Sequence, residues 1–200
     1  MTLTVVTGTG TEVGKTWFGA ATLRAAAAAG AGVAARKPVE SFAPGEGQTD
    51  SEALASVTGE DPLRVCPAHR RFPVAMAPPM AAAALGLPAF TIAELAGEVR
   101  AHLPGPAGAS GGLLVLVEGA GGPRSPLADD GDTVDLAGAL RPDAVVLVAD
   151  AGLGTINAVR LCAGALADHR LIVALNRFDP PTTCITSTSH GSATARACRW

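Results

Sequence analysis

The sequence predicts an α/β fold, in which a mostly parallel β-sheet carries helices on both faces. Residues 113–117 and 144–149 form strand-length runs that are apolar throughout, as is typical of strands buried on both sides. Apolar residues with helical spacing, such as those of residues 156–166, lie between and after these runs. Strands that alternate with helices pair in parallel, with right-handed crossover connections.

Local sequence signals predict where the other strands and helices lie. Residues 3–6 form an apolar, β-branched strand, and a glycine-rich turn leads from it into an Ala-rich helix over residues 17–29. Thr91 opens a helix because Glu94, three residues later, completes a capping box. The remaining predicted elements are a strand over 33–39, a helix that begins near Thr49 or Asp50, an irregular connection over 66–79, helices over 80–85 and 132–140, and a strand over 171–175.

The composition is that of one compact globular domain. The chain has 200 residues, long enough for one buried core and short for two, and 48% of them are hydrophobic against 16% charged. A net charge of -3 and 4% aromatic residues do not favour binding of nucleic acid, which needs a basic surface. The sequence shows neither a secretion signal nor a membrane-spanning run, so we expect a cytoplasmic protein without a membrane partner. The four cysteines are scattered and are expected to be free thiols.

The stretch Gly8-Thr9-Gly10-Thr11-Glu12-Val13-Gly14-Lys15-Thr16 predicts a loop that binds nucleotide phosphates. It joins a strand to a helix, so its backbone N–H groups and the positive end of the helix converge on one point. Lys15 would reach the outer phosphates, and the Thr16 hydroxyl would bind Mg²⁺. The alternative is a Gly/Thr-rich loop that carries a lysine by chance, and the flanking strand and helix argue against it.

Three charged residues are candidates for the same site. Lys37 lies at the end of the second predicted strand, where ligands gather in open α/β sheets, although a solvated lysine is the alternative. Asp50 either caps a helix or holds Mg²⁺ together with Thr16. Glu118 directly follows the apolar strand and precedes a glycine-rich turn, which favours a metal-binding carboxylate over an exposed glutamate.

Four motifs, taken in order, resemble those of the dethiobiotin synthetases, the P-loop ligases of biotin biosynthesis. The motifs are residues 8–16 with the same long glycine spacing, Lys37-Pro38-Val39, Glu118-Gly119-Ala120-Gly121-Gly122 and Gly152-Leu153-Gly154-Thr155-Ile156-Asn157. The ordered set is more specific than any single motif. The resemblance reaches about residue 179 and implies a P-loop NTPase-like ligase domain over residues 1–180.

The resemblance implies a reaction in which 7,8-diaminopelargonic acid, CO₂ and ATP give dethiobiotin, ADP and phosphate. A carbamate of the substrate amine is a weak electrophile. Its oxygen must therefore be phosphorylated to a carbamic-phosphoric anhydride before the neighbouring amine closes the cyclic urea. Such a transfer mainly needs positioning and charge neutralisation. ATP is then the co-substrate and Mg²⁺ the cofactor. Another P-loop ligase or ATPase remains the alternative within enzymes.

The resemblance also assigns roles to residues. Lys15 would neutralise the transferring phosphate, Lys37 would stabilise carbamate and phosphate charge, and Thr11 would lie close to both. The implied Mg²⁺ ligands are Thr16, Asp50 and Glu118. The implied substrate-binding residues are Lys37, Ser41, Gly121 and Asn157, and the implied adenine contact is Asn176. Because Asn157 matches a residue that binds substrate across a subunit interface, we expect a homodimer.

Two features depart from the family pattern. Pro123-Arg124-Ser125 stands where family members have an apolar segment, which affects the local substrate contacts. Residues 181–200 are rich in Ser and Thr and have no apolar period, where the family continues with elements that help to bind adenine. We therefore predict an irregular tail and an altered nucleotide pocket. A frameshift near Pro181 and a catalytically weak, nucleotide-binding paralogue are the two explanations that stay open.

Overall fold

The computed structural model describes residues 1–45, 47–104 and 112–178. The strands are β1 (Thr2–Gly8), β2 (Gly32–Arg36), β3 (Glu40–Ser41), β4 (Arg71–Phe72), β5 (Leu113–Glu118), β6 (Pro126–Ala128), β7 (Gly131–Asp132), β8 (Ala144–Asp150) and β9 (Leu171–Asn176). The α-helices are α1 (Lys15–Ala28), α2 (Asp50–Thr58), α3 (Pro62–Val65), α4 (Pro78–Ala84), α5 (Ile92–Ala101), α6 (Thr133–Leu140) and α7 (Thr155–Ala165).

A five-stranded sheet with the order β2-β5-β1-β8-β9 forms the centre of the fold. Every neighbouring pair in this sheet is parallel. The carboxyl ends of all five strands therefore lie at the same edge, where the connecting loops can converge on one ligand. The predicted α/β class with a mostly parallel sheet is confirmed.

The apolar side chains of the strands form two hydrophobic cores, one on each face of the sheet. Val5 and Val115 belong to one core, and their chain neighbours Val6 and Leu116 belong to the other. This alternation follows from the two-residue period of a strand. Helices α1, α2 and α3 contribute to the second core, whereas α5 and α6 contribute to the first. The unbroken apolar runs in the sequence thus reflect helices on both faces.

The start of α2 matters for the site, because Asp50 is its first residue. Thr49 is the N-cap: its side chain accepts from the Glu52 backbone N–H, and Glu52 Oε2 accepts from the Thr49 backbone N–H at 2.9 Å. The Asp50 side chain is therefore free for other contacts, and the alternative in which it caps the helix is wrong. The capping box predicted for Thr91 and Glu94 is confirmed at the start of α5.

Several short elements differ from the sequence-based expectation. The connection predicted as irregular over 66–79 contains a turn of 3₁₀ helix over Ala68–Arg70, strand β4 and the first residues of α4. Strand β2 ends at Arg36 rather than at residue 39, because the Lys37 N–H bonds to Val65 O outside the sheet and Pro38 has no N–H. Helix α3 and the β6–β7 pair were also missed.

Some expectations concern residues beyond the described ranges. Cys66 and Cys162 are free thiols, while Cys184 and Cys198 lie outside the described residues. The irregular tail over 181–200 and its proposed origin also lie there and stay predictions, as does the division of the chain at residue 180. Over the three described ranges, no helix combines the length and apolar character needed to cross a membrane.

Candidate nucleotide and phosphoryl-transfer site

The loops at the carboxyl edge of the sheet enclose a cavity of about 770 Å³. The loop after β1, the segment after β2, the start of α2 and the loop after β5 all contribute to its wall. The lining residues that the sequence predicted are Thr11, Glu12, Gly14, Lys15, Thr16, Lys37, Ser41, Asp50 and Gly121. The structure therefore brings most of the predicted site residues together.

Two glycines of the first loop are required by close packing. A Cβ atom on Gly8 would lie 2.6 Å from Val13 Cγ2. Gly14 has a φ of +90°, and a Cβ there would lie 2.1 Å from Asn176 Nδ2. The loop thus folds tightly on itself and against the end of β9.

Lys15 lies in the first turn of α1 and is buried. Its Nζ donates to Gly10 O at 2.9 Å, across the glycine loop. Burial, and then the positive charge of Lys37, lower the pKa of Lys15, although Glu118 and Asp50 oppose that shift. Lys15 and Lys37 are the only two lysines in the sequence, and both face this site.

Lys37 is held between two carboxylates. Its Nζ lies 2.7 Å from Asp50 Oδ2 and 2.8 Å from Glu118 Oε1, and it donates to Gly119 O at 3.0 Å. The residue is 2% exposed, so the alternative of a solvated lysine is wrong. Burial alone would lower the pKa of Lys37, but Asp50 and Glu118 outweigh it and raise the pKa above its ordinary value.

Thr16 joins the same two carboxylates. Its Oγ1 lies 2.6 Å from Asp50 Oδ1 and 3.0 Å from Glu118 Oε1, so its single proton can be donated to either. The Lys37 charge lowers the pKa of Asp50 to about 2. Glu118 is fully buried, which contradicts the alternative of an exposed turn glutamate; burial raises its pKa and Lys37 opposes that rise.

The loop after β5 packs against the glycine loop, since a Cβ on Gly122 would lie 3.5 Å from Gly8 O. Gly121 has a φ of +64°, and a Cβ there would lie 2.5 Å from Ser125 Oγ. The Ser125 hydroxyl accepts from the Gly122 N–H at 2.9 Å and so braces the turn. Ser125 also lines the cavity, and sequence reasoning noted it only as a departure from a family pattern.

Asn176 and Asn157 are among the predicted residues that do not line the cavity. Asn176 donates from Nδ2 to Val13 O at 2.9 Å, so it supports the glycine loop from behind. Asn157 is exposed on α7, and it is not among the residues that line the cavity. A substrate contact by Asn157 within one copy of the chain therefore has no support.

Sequence reasoning missed two charged residues that line the cavity. Glu40 directly follows the Lys37-Pro38-Val39 motif and is 3% exposed. Arg177 follows Asn176, and its Nη2 donates to Glu12 O at 2.9 Å while its Nη1 donates to Asp150 Oδ2 at 3.0 Å. Their position next to a predicted site residue was the only signal available in the sequence.

Comparisons with known proteins agree with this geometry. The sequence model of a protein family described as AAA domain matches residues 3–191. The chain is 45% identical over 176 residues to the ATP-dependent dethiobiotin synthetase BioD of Rhodococcus jostii, and the match covers 87% of this chain and 71% of that protein. It is 40% identical over 167 residues to the protein of that name from Streptomyces avermitilis, covering 83% and 66% of the two chains. With its glycine loop and paired lysines at the edge of a parallel sheet, the chain belongs to the ATP-dependent dethiobiotin synthetase family of P-loop ligases.

Proposed function

We propose that this chain is an ATP- and Mg²⁺-dependent ligase that forms dethiobiotin, ADP and phosphate from 7,8-diaminopelargonic acid, CO₂ and ATP. The observation that carries the proposal is Lys37 Nζ, held between Asp50 and Glu118 beside the glycine loop that bears Lys15. The relatives named above are called ATP-dependent dethiobiotin synthetases. Residues 8–16 would bind the nucleotide phosphates.

The residues present fit a magnesium ion. Glu118 Oε2 is buried and has no hydrogen-bond partner in the structure, so one carboxylate oxygen is available beside Thr16 and Asp50. The described part of the chain has no cluster of three or more His, Cys, Asp or Glu that could hold a metal by itself. Mg²⁺ usually binds one or two carboxylates together with substrate phosphates and water, so Thr16, Asp50 and Glu118 suit it. When bound, the ion neutralises negative charge on the nucleotide phosphates.

The two lysines are suited to stabilise different negative charges of the reaction. Lys15 Nζ has one carbonyl partner, which it can exchange for the oxygens of the transferring phosphate. Lys37 stays protonated because of its carboxylates, so it offers a fixed positive charge to the carbamate and to the phosphate that it receives. Phosphoryl transfer depends on positioning and electrostatic stabilisation, and positive charges at these two positions suit it.

Other residues that line the cavity suit the rest of the substrate. Ser41 Oγ is buried without a partner in the structure, and Ser41 and Thr11 both line the cavity, so they are candidates to contact the carbamate or phosphate. The segment Ala75-Met76-Ala77-Pro78 gives the cavity an apolar side, which suits the alkyl chain of a diamino fatty acid. Gly121 would contact the substrate through its backbone, and Asn176, beside the loop, would contact adenine.

The exposed apolar side chains of α7 and the loop before it suit a homodimer interface. In the structure, α7 has no buried residue, and Ile156 and Leu161 are 54% and 69% exposed. Leu153, in the preceding loop, is also fully exposed. Large apolar side chains exposed along one helix and the loop before it are a candidate interaction surface. A second copy at this surface would place Asn157 at the interface, where it could contact the partner's substrate.

The first prediction concerns product formation. The purified chain, incubated with ATP, Mg²⁺, bicarbonate and 7,8-diaminopelargonic acid, is expected to yield dethiobiotin by mass spectrometry. Lys15→Ala is expected to lose at least about a hundredfold in rate, because a charge that stabilises the transferring phosphate is gone. Dethiobiotin at equal rates from both chains would remove Lys15 from the reaction. Nucleotide binding without any product in the unmodified chain would instead favour the catalytically weak paralogue.

The second prediction concerns the metal. Glu118→Gln is expected to raise the Mg²⁺ concentration at half-maximal ADP formation by about tenfold or more, because a carboxylate ligand becomes a neutral amide. Glu60→Gln is the matched control, since Glu60 also forms an ion pair, with Arg36 at 2.8 Å, but its carboxylate contacts Arg36, Arg64 and the Ala35 N–H rather than Lys37 or Thr16. An Mg²⁺ titration that Glu118→Gln leaves unchanged would contradict the assignment.

The third prediction concerns oligomeric state. Leu161→Glu is expected to convert a dimer into a monomer in light scattering, because it puts a charge into the apolar surface of α7. Leu87→Glu, at a residue that is 45% exposed in the loop before α5, is the control and should leave the mass unchanged. A monomer in the unmodified chain, or a dimer that survives Leu161→Glu, would refute this interface.

A further inference from the structure

Glu40 is a buried carboxylate at the cavity that the proposed reaction does not use. Its Oε2 accepts from the Ser51 N–H at 3.0 Å, and its Oε1 accepts from the Ser51 hydroxyl at 2.6 Å and from Arg71 Nε at 2.6 Å. The carboxylate is therefore fully engaged with the protein. Its partner Ser51 is the residue directly after Asp50.

These bonds fix the first turn of α2. The Ser51 N–H is one of the helix N-terminal donors that have no partner within the helix. A carboxylate is the acceptor that best suits such a donor, because the helix dipole makes this end positive. Glu40 thus sets the orientation of the turn from which Asp50 reaches Lys37 and Thr16.

Arg71, which pairs with Glu40, also contacts the first turn of α2 directly. Its Nη2 donates to Thr49 Oγ1 at 3.0 Å and to Glu52 Oε1 at 3.2 Å, the two members of the capping box. The parallel pairing of β3 with β4 places Glu40 opposite Arg71, and the guanidinium lies 5.6 Å from the centre of the Phe42 ring. The Glu40–Arg71 ion pair therefore contacts three residues at the start of α2: the N-cap Thr49, the second helical residue Ser51 and the third, Glu52.

We infer that Glu40 and Arg71 are positioning residues, which hold the start of α2 so that Asp50 faces Lys37, Thr16 and a nucleotide-bound Mg²⁺. This inference rests on the proposed function and identifies the residues that orient its metal ligand Asp50. Neither residue needs to touch the reacting atoms. Groups that orient a metal ligand typically change metal affinity or activity by about 10 to 100-fold when they are mutated.

The neighbouring residue provides a matched control. Arg70 forms the same kind of ion pair, with Nη2 2.7 Å from Glu98 Oε1, and its guanidinium lies 4.5 Å from the centre of the Phe90 ring. Glu98 lies on α5, however, and neither Arg70 nor Glu98 lines the 770 Å³ cavity. Loss of this pair affects the scaffold without reaching α2.

The test compares Glu40→Gln with Glu98→Gln. A glutamine at position 40 has one acceptor oxygen and an amide that can only donate, so it cannot accept from Ser51 and Arg71 as the carboxylate does. ADP binding is measured by calorimetry over a series of Mg²⁺ concentrations without the diamine substrate, and folding is followed by thermal melting. Glu40→Gln should weaken Mg²⁺-dependent ADP binding by about tenfold, and Glu98→Gln should leave it within about twofold of the unmodified chain.

Ser51→Ala is a milder variant that removes only the hydroxyl donor. It should weaken Mg²⁺-dependent ADP binding by about threefold, as expected for one hydrogen bond, and it decides the question if Glu40→Gln does not fold. Equal losses in the Glu40 and Glu98 variants, or no loss with Glu40→Gln and Ser51→Ala, would overturn the inference. Because ADP binding is measured without 7,8-diaminopelargonic acid, a failure to form dethiobiotin would count against the proposed function alone.

Discussion

The ammonium group of Lys37, buried between two carboxylates, is the interaction on which the arrangement of the site depends. Asp50 comes from the start of α2 and Glu118 from the end of β5, while Lys37 follows β2. A buried charge without partners is strongly destabilising, so the three segments can pack closely only when these groups meet. The fold therefore fixes the distance between a positive charge and two acidic groups before any ligand binds.

This arrangement gives the two lysines different properties although both are buried at one site. Lys37 gains two counter-charges, which keep it protonated, whereas Lys15 has a carbonyl partner and feels the repulsion of Lys37. A bound nucleotide adds negative charge beside Lys15, the lysine with the weaker set of partners. The site is thus prepared for an anion, and the repulsion between the lysines is relieved when one binds.

The sequence alone predicted the parts of the site whose signal is local. The glycine spacing, the strand before Glu118 and the lysine after β2 each lie within a few residues of the feature that marks them. Asp50 stayed ambiguous, because the choice between cap and ligand depended on whether Thr49 caps α2. The contacts of Glu40 with Arg71 and of Ser125 with Gly122 could not be predicted, because the first joins residues far apart in sequence through two short strands and the second depends on a turn geometry.

Because the sequence has only two lysines, their protonation gives the most direct test of how the site holds its charges. Their side-chain Nζ signals can be followed by nitrogen-15 NMR while the pH is raised to 10.5, with Lys15→Arg used to assign them. Lys15 is expected to titrate within this range, because burial and the charge of Lys37 hold its pKa below the ordinary 10.5, while Lys37 is expected to stay protonated between its two carboxylates. Two lysines that titrate together near pH 10.5, or a Lys37 that loses its proton first, would show that Asp50 and Glu118 do not hold the Lys37 charge.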